Sequence, residues 1–130
     1  MNKKQLIRYK RGEMQSIPQR GQIWLVEFPP TKENRKRRRP CLVISNDLQN
    51  EYGKWIVVAG MTTKNIKIVE PFEVFFSNTT ETGLDEPSKL KLNYPRTVDK
   101  ERLKEKLGVA NQEIMEQVIK AWKIAFDWEM

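Results

Sequence analysis

The ten residues RRRPCLVISN, positions 37–46, pass from three arginines through a proline into an unbroken apolar run. Because the run CLVI has no polar residue to place on either side of a pleat, we predict a strand over 40–45 that is buried on both faces. The segment before it, Gln22–Phe28 (QIWLVEF), is rich in Ile, Trp, Val and Phe, which predicts a first strand that ends at Pro29. The core is therefore predicted to form around two neighbouring strands.

Three more segments downstream have strand character, and polar stretches with glycine, proline or asparagine separate the elements as loops. The predicted strands are residues 55–61, 71–76 and 89–93, and the predicted loops are residues 31–39, 46–54 and 77–87. A short helix or turn is predicted from 99 to 107, capped by Asp99.

The last element is predicted to be a helix, because six apolar side chains recur at helical spacing after Asn111, a plausible N-cap. The six are Ile114, Met115, Val118, Ile119, Trp122 and Phe126. Short strands followed by one helix predict a mainly β fold with some α structure, a small curled β-barrel closed by that helix. The apolar stripe needs a partner surface, which either the chain's own barrel or a second copy supplies.

The composition indicates one folded globular domain. The chain has 130 residues, 38% hydrophobic and 32% charged, which favours a packed core over disorder. No apolar run approaches the roughly 20 residues of a membrane span, and no secretory signal is visible, so we expect a cytoplasmic protein. The single cysteine, Cys41, cannot form an internal disulfide, and its apolar surroundings predict a buried, inert thiol.

The net charge of +7 is concentrated in two short segments, since residues 1–20 and 32–39 each carry +5 and the rest carries −3. A polyanion-binding surface requires such concentration, although mobile, solvated segments would look the same. Residues 1–19 are predicted to be a basic, loosely ordered extension. The chain has no histidine, which removes the usual acid and base at neutral pH and any Cys/His zinc site. We therefore expect no Cys/His metal site, and no cofactor.

Four segments resemble, in order and in spacing, the MazF/PemK family of toxins. They are residues 20–26 (RGQIWLV), 39–46 (RPCLVISN), 57–63 (VVAGMTT) and 95–100 (PRTVDK). The resemblance implies a toxin domain over 20–130 with an SH3-like barrel that forms a homodimer. It also implies a metal-independent endoribonuclease that cleaves single-stranded RNA through attack of the 2′-hydroxyl, leaving a 2′,3′-cyclic phosphate. A cognate antitoxin would occupy the RNA site.

Two residues match the catalytic positions of that family, Arg39 and Thr62. An arginine can bind phosphate oxygens bidentately and stays charged, and a threonine hydroxyl can donate to a non-bridging oxygen. The alternatives are that Arg39 merely ends a basic loop, with Arg37 or Arg38 sharing its work, and that Thr62 is an ordinary strand-end residue. Asn93 stands where the family commonly has an acidic residue. An amide can orient a hydroxyl but cannot take its proton, so the general base is unassigned.

The remaining candidates are residues that would bind RNA by charge, by hydrogen bonding or by stacking. They are Trp24, Lys36, Arg37, Arg38, Lys91, Asn93, Tyr94 and Arg96. Trp55 is a further possible stacking platform, but core packing is the default expectation for it and for Trp24. Tyr94, next to a proline, is expected to be exposed.

Two other functions stay open. A non-catalytic nucleic-acid-binding module on the same fold would account for Asn93 and for the basic loop. An inhibitor of gyrase is the other, because toxins of a related fold act on that enzyme, but it would need neither Arg39 nor Thr62.

Overall fold

A computed structural model of the chain describes residues 17–32 and 37–127. Six strands form one curled antiparallel sheet in the order β4-β5-β3-β2-β1-β6. The strands are β1 Gln22–Phe28, β2 Arg37–Val43, β3 Trp55–Thr62, β4 Glu73–Phe76, β5 Ser88–Asp99 and β6 Leu103–Val109. The helices are α1 Asp47–Tyr52, a 3-10 turn Lys100–Arg102 and the C-terminal α2 Gln112–Ala125. The predicted mainly β fold with a closing C-terminal helix is confirmed.

The sheet separates two clusters of buried side chains. The helix-side core contains Leu42, Ala59, Met61 and Leu90, and helix α2 covers it with Val118 and Ala121. The barrel-side core lies on the other face. It consists of Trp24, Val26, Phe28, Cys41, Val43, Ile56, Val58, Val98 and Leu103. Alternation along β2 sends Leu42 to the first cluster and its two neighbours to the second, so this strand is buried on both faces as predicted.

Strand β2 begins earlier than predicted, at Arg37, and ends at Val43. The prediction of a loop over 31–39 was therefore wrong for its last three residues, which pair with β1 in the register Phe28↔Arg37, Glu27↔Arg38 and Val26↔Arg39. Backbone pairing does not require apolar side chains, and Glu27 supplies Arg38 with a carboxylate at 3.3 Å. The four residues 33–36 lie outside the described part of the chain, and the prediction for Lys36 lies there with them.

The predicted loop 46–54 contains helix α1. The side chain of Asn46 accepts a hydrogen bond from the N–H of Gln49 at 2.8 Å, which caps the first turn. The buried Asn50 donates to the carbonyl oxygen of Ser45 at 2.9 Å and so ties the helix to the end of β2. A helix of six residues has too few apolar positions to show a period, so the sequence predicted only a loop here.

Strand β5 is much longer than the predicted 89–93 and continues through Pro95. Its register with β3 shifts between Met61↔Leu90 and Ala59↔Pro95, so that residues 91–94 lie opposite Gly60 alone. This wide bulge bends the strand. The Asp99 cap is confirmed, since its side chain accepts from the N–H of Glu101 at 2.9 Å. A helix or turn continuing to 107 was wrong, because β6 pairs there with β1.

Helix α2 has the predicted N-cap, with the Asn111 side chain accepting from the N–H of Ile114 at 2.9 Å. The apolar stripe is only partly covered by the barrel. Val118 is buried, whereas Ile119 and Trp122 remain 51% and 46% exposed. Within the described residues, no helix is long and apolar enough to cross a membrane.

Candidate active site

A groove of about 300 Å³ opens near the bulge of β5. Its lining consists of Phe28, Arg39, Gly60, Lys91, Tyr94 and Arg96. Three strands and the end of a fourth contribute to it, and we refer to it as the cationic groove. Three of its six lining residues are cations and none is acidic, so its chemistry favours an anionic ligand.

Arg39 is directed into this groove by the alternation of β2. Cys41, two residues later on the same face, is fully buried in the barrel-side core. Opposite, Gly60 provides the necessary space, because a Cβ placed on it would lie 3.3 Å from Cδ of Arg39. Burial and then the neighbouring charges of Arg37 and Arg96 lower the pKa of Arg39, while Cys41 opposes them. A partly desolvated cation binds an anion more strongly than a fully hydrated one.

The other two cations of the groove lie against aromatic rings. The guanidinium of Arg96 lies 4.2 Å from the ring centroid of Phe28, and the ammonium of Lys91 lies 5.5 Å from that of Tyr94. Both are within the range of cation–π attraction. The predicted exposure of Tyr94 is confirmed, since 63% of this residue is accessible. The contacts orient Arg96 and Lys91 while leaving them able to contact a ligand.

Lys91 is also held by Glu73, a residue that the sequence did not single out. One carboxylate oxygen of Glu73 lies 3.1 Å from Nζ of Lys89 and the other 3.2 Å from Nζ of Lys91. Burial by itself would raise the pKa of Glu73, but hydrogen bonds from the Glu70 backbone and from both lysines lower it. The pairing of β4 with β5 brings these residues together, and a single sequence shows neither strand's register.

Thr62 and Asn93 flank the groove without lining it. The pairing of β2 with β3 reaches Cys41↔Gly60, and Arg39 and Thr62 follow two positions further along the same two strands. The hydroxyl of Thr62 accepts from the N–H of Lys64 at 3.1 Å, which leaves its own hydrogen free to donate. Asn93 lies in the bulge, and its buried Oδ1 has no hydrogen-bond partner among the residues that the structure describes. Such an oxygen is able to accept a hydrogen bond from a ligand.

The two tryptophans lie in different environments. Trp24 is 3% exposed and its Nε1 donates to Oε1 of Gln22 at 3.0 Å. Its ring belongs to the barrel-side core, so its candidacy as a stacking platform is wrong. Trp55, expected in the core, is 52% exposed at the start of β3, opposite Asp99.

The remaining candidates lie on β2. Arg37 and Arg38 are exposed and do not line the groove. The predicted burial of Cys41 is confirmed, and desolvation raises the pKa of its thiol to about 12 despite Arg39 and Arg96 nearby. The thiol is therefore protonated and unreactive at neutral pH.

The curled sheet, its closing helix and the cationic groove define a small barrel protein suited to binding an anionic chain. Residues 19–126 match the family described as PemK-like, MazF-like toxins of type II toxin–antitoxin systems, and the chain belongs to that family. It is 33% identical over 113 residues to the endoribonuclease MazF9 of Mycobacterium tuberculosis. The aligned region covers 83% of this chain and 95% of that protein.

Solved structures show the same fold. An endoribonuclease in complex with its cognate antitoxin from a mycobacterial species superposes with a TM-score of 0.69 at 20% identity, covering 86% of this chain and 99% of that one. MazE–MazF from Deinococcus radiodurans superposes with a TM-score of 0.70 at 21% identity, covering 88% of this chain and 100% of that one. At these identities the likeness supports the fold of the barrel alone.

Proposed function

We propose that the chain is an endoribonuclease toxin that cleaves single-stranded RNA in the cytoplasm without a metal ion, until a cognate antitoxin blocks it. The observation that carries this proposal is the convergence of Arg39, Lys91 and Arg96 on one groove of a toxin-family barrel. The name of the relative at 33% identity, an endoribonuclease, supports the choice of RNA as substrate.

In the proposed reaction the 2′-oxygen of a ribose forms a bond to the adjacent phosphorus, and the bond from phosphorus to the 5′-oxygen breaks. The 2′-proton leaves to solvent or an unassigned base, the departing 5′-oxygen gains a proton, and the products end in a 2′,3′-cyclic phosphate and a 5′-hydroxyl. Negative charge builds on the non-bridging oxygens in between. Arg39 binds and stabilises those oxygens, because its planar fork matches them and its position is fixed before the substrate arrives.

Thr62 and Asn93 would contribute neutral hydrogen bonds to the substrate rather than a positive charge. The hydroxyl of Thr62 donates to a non-bridging oxygen, and the unpaired Oδ1 of Asn93 accepts from the attacking 2′-hydroxyl and orients it. Neither takes the proton at neutral pH. The rate then rests on alignment and electrostatic stabilisation, which predicts a slower enzyme than one with a carboxylate at this position.

The test is incubation of a long single-stranded RNA with the purified protein in EDTA, followed by analysis of the fragment ends. We expect cyclic-phosphate ends from the wild type and a loss of about 10²–10³-fold for Arg39→Ala, as for removal of one oxyanion donor. Arg38→Ala is the matched control, since Arg38 lies next in the same strand and outside the groove lining. It should weaken binding but leave the rate at saturating RNA within a few-fold. Equal activity of the Arg39 variant would refute its role.

A protein that binds RNA at low salt but never cuts it would instead be the non-catalytic binding module, which the amide of Asn93 favours. Gyrase inhibition with intact RNA would identify the other alternative.

We also propose two protein partners. The antitoxin should present acidic and apolar residues to the cationic groove. A second copy of the chain should cover the exposed apolar face of α2, which includes Ile119, Trp122 and Ile124. Light scattering that shows a monomer at micromolar concentration would remove the dimer from this proposal.

A further inference from the structure

A second depression, of about 420 Å³, adjoins the cationic groove. Phe28 and Arg96, which stack on each other, line both the groove and the depression. The two concave surfaces are therefore continuous. Trp55, Arg102 and Lys104 also line the depression. We call it the Trp55 depression. Its volume is that of an ordinary small-ligand pocket, large enough for a nucleobase.

Trp55 is exposed where the sequence predicts a buried side chain. A single exposed tryptophan is unremarkable by itself, but this one borders a concave surface that continues into a groove for an anion. The ammonium of Lys54 lies 5.3 Å from its ring centroid and also 3.5 Å from a carboxylate oxygen of Asp99. These contacts hold the ring at the rim while leaving about half of the residue accessible.

The charges of the Trp55 depression favour a backbone of phosphates. Arg96, Arg102 and Lys104 are its cations, against the carboxylates of Asp99 and Glu101. Asp99 is already engaged, because it caps the 3-10 turn and pairs with Lys54. Lys104 is 3.9 Å from Glu27, a loose contact from which it can turn to a phosphate.

Resting on the function proposed above, we propose that the Trp55 depression is a subsite for a nucleotide at the third position or further from the cleaved phosphodiester, beyond the two that a tetranucleotide centred on the cut places on each side. Its base stacks on Trp55, and the backbone phosphate between the two sites contacts Arg96 and then Lys104. An aromatic face beside a track of cations is how proteins hold single-stranded nucleic acid without strong sequence preference. The subsite adds affinity and directs the strand through the groove, but it contributes nothing to the bond-breaking step.

The experiment compares two RNAs centred on a cut site mapped with the wild type, a tetranucleotide and a 12-mer. For Trp55→Ala we expect kcat/KM on the 12-mer to fall about tenfold further than on the tetranucleotide, mainly through KM, as alanine substitution of a stacking residue predicts. Trp55→Phe should restore most of this loss. Phe75→Ala, which removes a similarly exposed ring from β4 outside both depressions, is the matched control and should not change the ratio.

A binding measurement separates this subsite from the proposed catalysis. In the Arg39→Ala background, Trp55→Ala should weaken binding of a labelled mixed-sequence 12-mer about tenfold. Lys104→Met should reduce the slope of log Kd against log salt by about 0.7, the value for one lost phosphate contact on a single strand. If the wild type binds RNA without cutting it and Trp55→Ala still weakens that binding, the proposed function fails and the subsite stands. Equal losses on both RNAs, or unchanged binding by both variants, would overturn the subsite.

Discussion

Replacing Glu73 by glutamine should destabilise the protein strongly, because it leaves a buried lysine without its counter-charge. The side chain of Glu73 is 1% exposed and that of Lys89 is 7% exposed. In the wild type their charged atoms lie 3.1 Å apart. In Glu73→Gln the ammonium of Lys89 keeps the carbonyl oxygen of Ile68, at 2.8 Å, but faces a neutral amide.

The size of the effect follows from burial. Removing one partner of a buried ion pair costs about 3–5 kcal/mol, far more than the pair itself contributes over an apolar replacement. For a domain of this length, each kilocalorie per mole lowers Tm by roughly 3–6 °C, so a fall of about 10–30 °C is expected. Lys91 adds little to this loss, because its side chain is 33% exposed and can be rehydrated.

The assay is urea unfolding followed by circular dichroism for the wild type, Glu73→Gln, and the double variant Glu73→Gln, Lys89→Met. The double variant removes the stranded charge, so it should recover most of the lost stability and lie within about 1–2 kcal/mol of the wild type. A single variant that loses less than about 1 kcal/mol would refute the reasoning, because the charge would then be solvated. So would a double variant no more stable than the single one.

The same carboxylate predicts a dependence on pH. Its pKa is lowered in the folded protein, so the unfolded chain takes up the proton first as the pH falls. The stabilisation is fully present above the unfolded value of about 4.3 and is lost as the pH falls through the lower folded value. The difference in unfolding free energy between wild type and Glu73→Gln should therefore be constant near neutrality and shrink towards acid. A difference that grows on acidification would have the wrong sign.

Two further predictions follow from the neighbourhood of Arg39. Gly60→Ala places a methyl group 3.3 Å from Cδ of Arg39 and should displace the Arg39 side chain by a few tenths of an ångström. The rate of single-turnover cleavage should fall several-fold with little change in Tm. An unchanged rate would mean that Gly60 does not position Arg39. The raised pKa of Cys41, about 12, predicts negligible alkylation of the native protein at pH 8 and rapid alkylation in guanidinium; rapid native reaction would contradict its burial.

The elements predicted well from sequence are those whose signal is local. The apolar run 41–44 and the stripe and cap of α2 needed no knowledge of neighbouring strands. Strand β6 was missed because its charged residues alternate with few apolar ones, and it exists through pairing with β1. Trp24 and Trp55 both stand in Ile- and Val-rich strands, and only the curl of the sheet decides which ring is buried.

In the candidate site, too, the residues marked by a local motif were predicted and those that depend on strand register were not. Arg39 was found because a family motif and a proline mark its position in the chain. The role of Glu73 and the continuity of the two depressions depend on the register of β5 with its two neighbours, including a bulge that places residues 91–94 opposite one glycine. Nothing local in the sequence specifies that register, because the alternation of lysine and leucine is the same after a shift of two residues.

Three like charges lie together in the free groove, and burial, followed by the charges of Arg37 and Arg96, lowers the pKa of Arg39. The fold maintains this arrangement with rigid supports: a strand under Arg39, the ring of Phe28 under Arg96, and the carboxylate of Glu73 behind Lys91. An anion entering the groove relieves the repulsion, and a phosphorane, which carries more charge than the diester, relieves it further. Because the supports are in place beforehand, that difference favours the transition state over the bound substrate. In the proposed reaction, this differential stabilisation would allow a chain with an amide at Asn93 and no histidine to accelerate RNA cleavage.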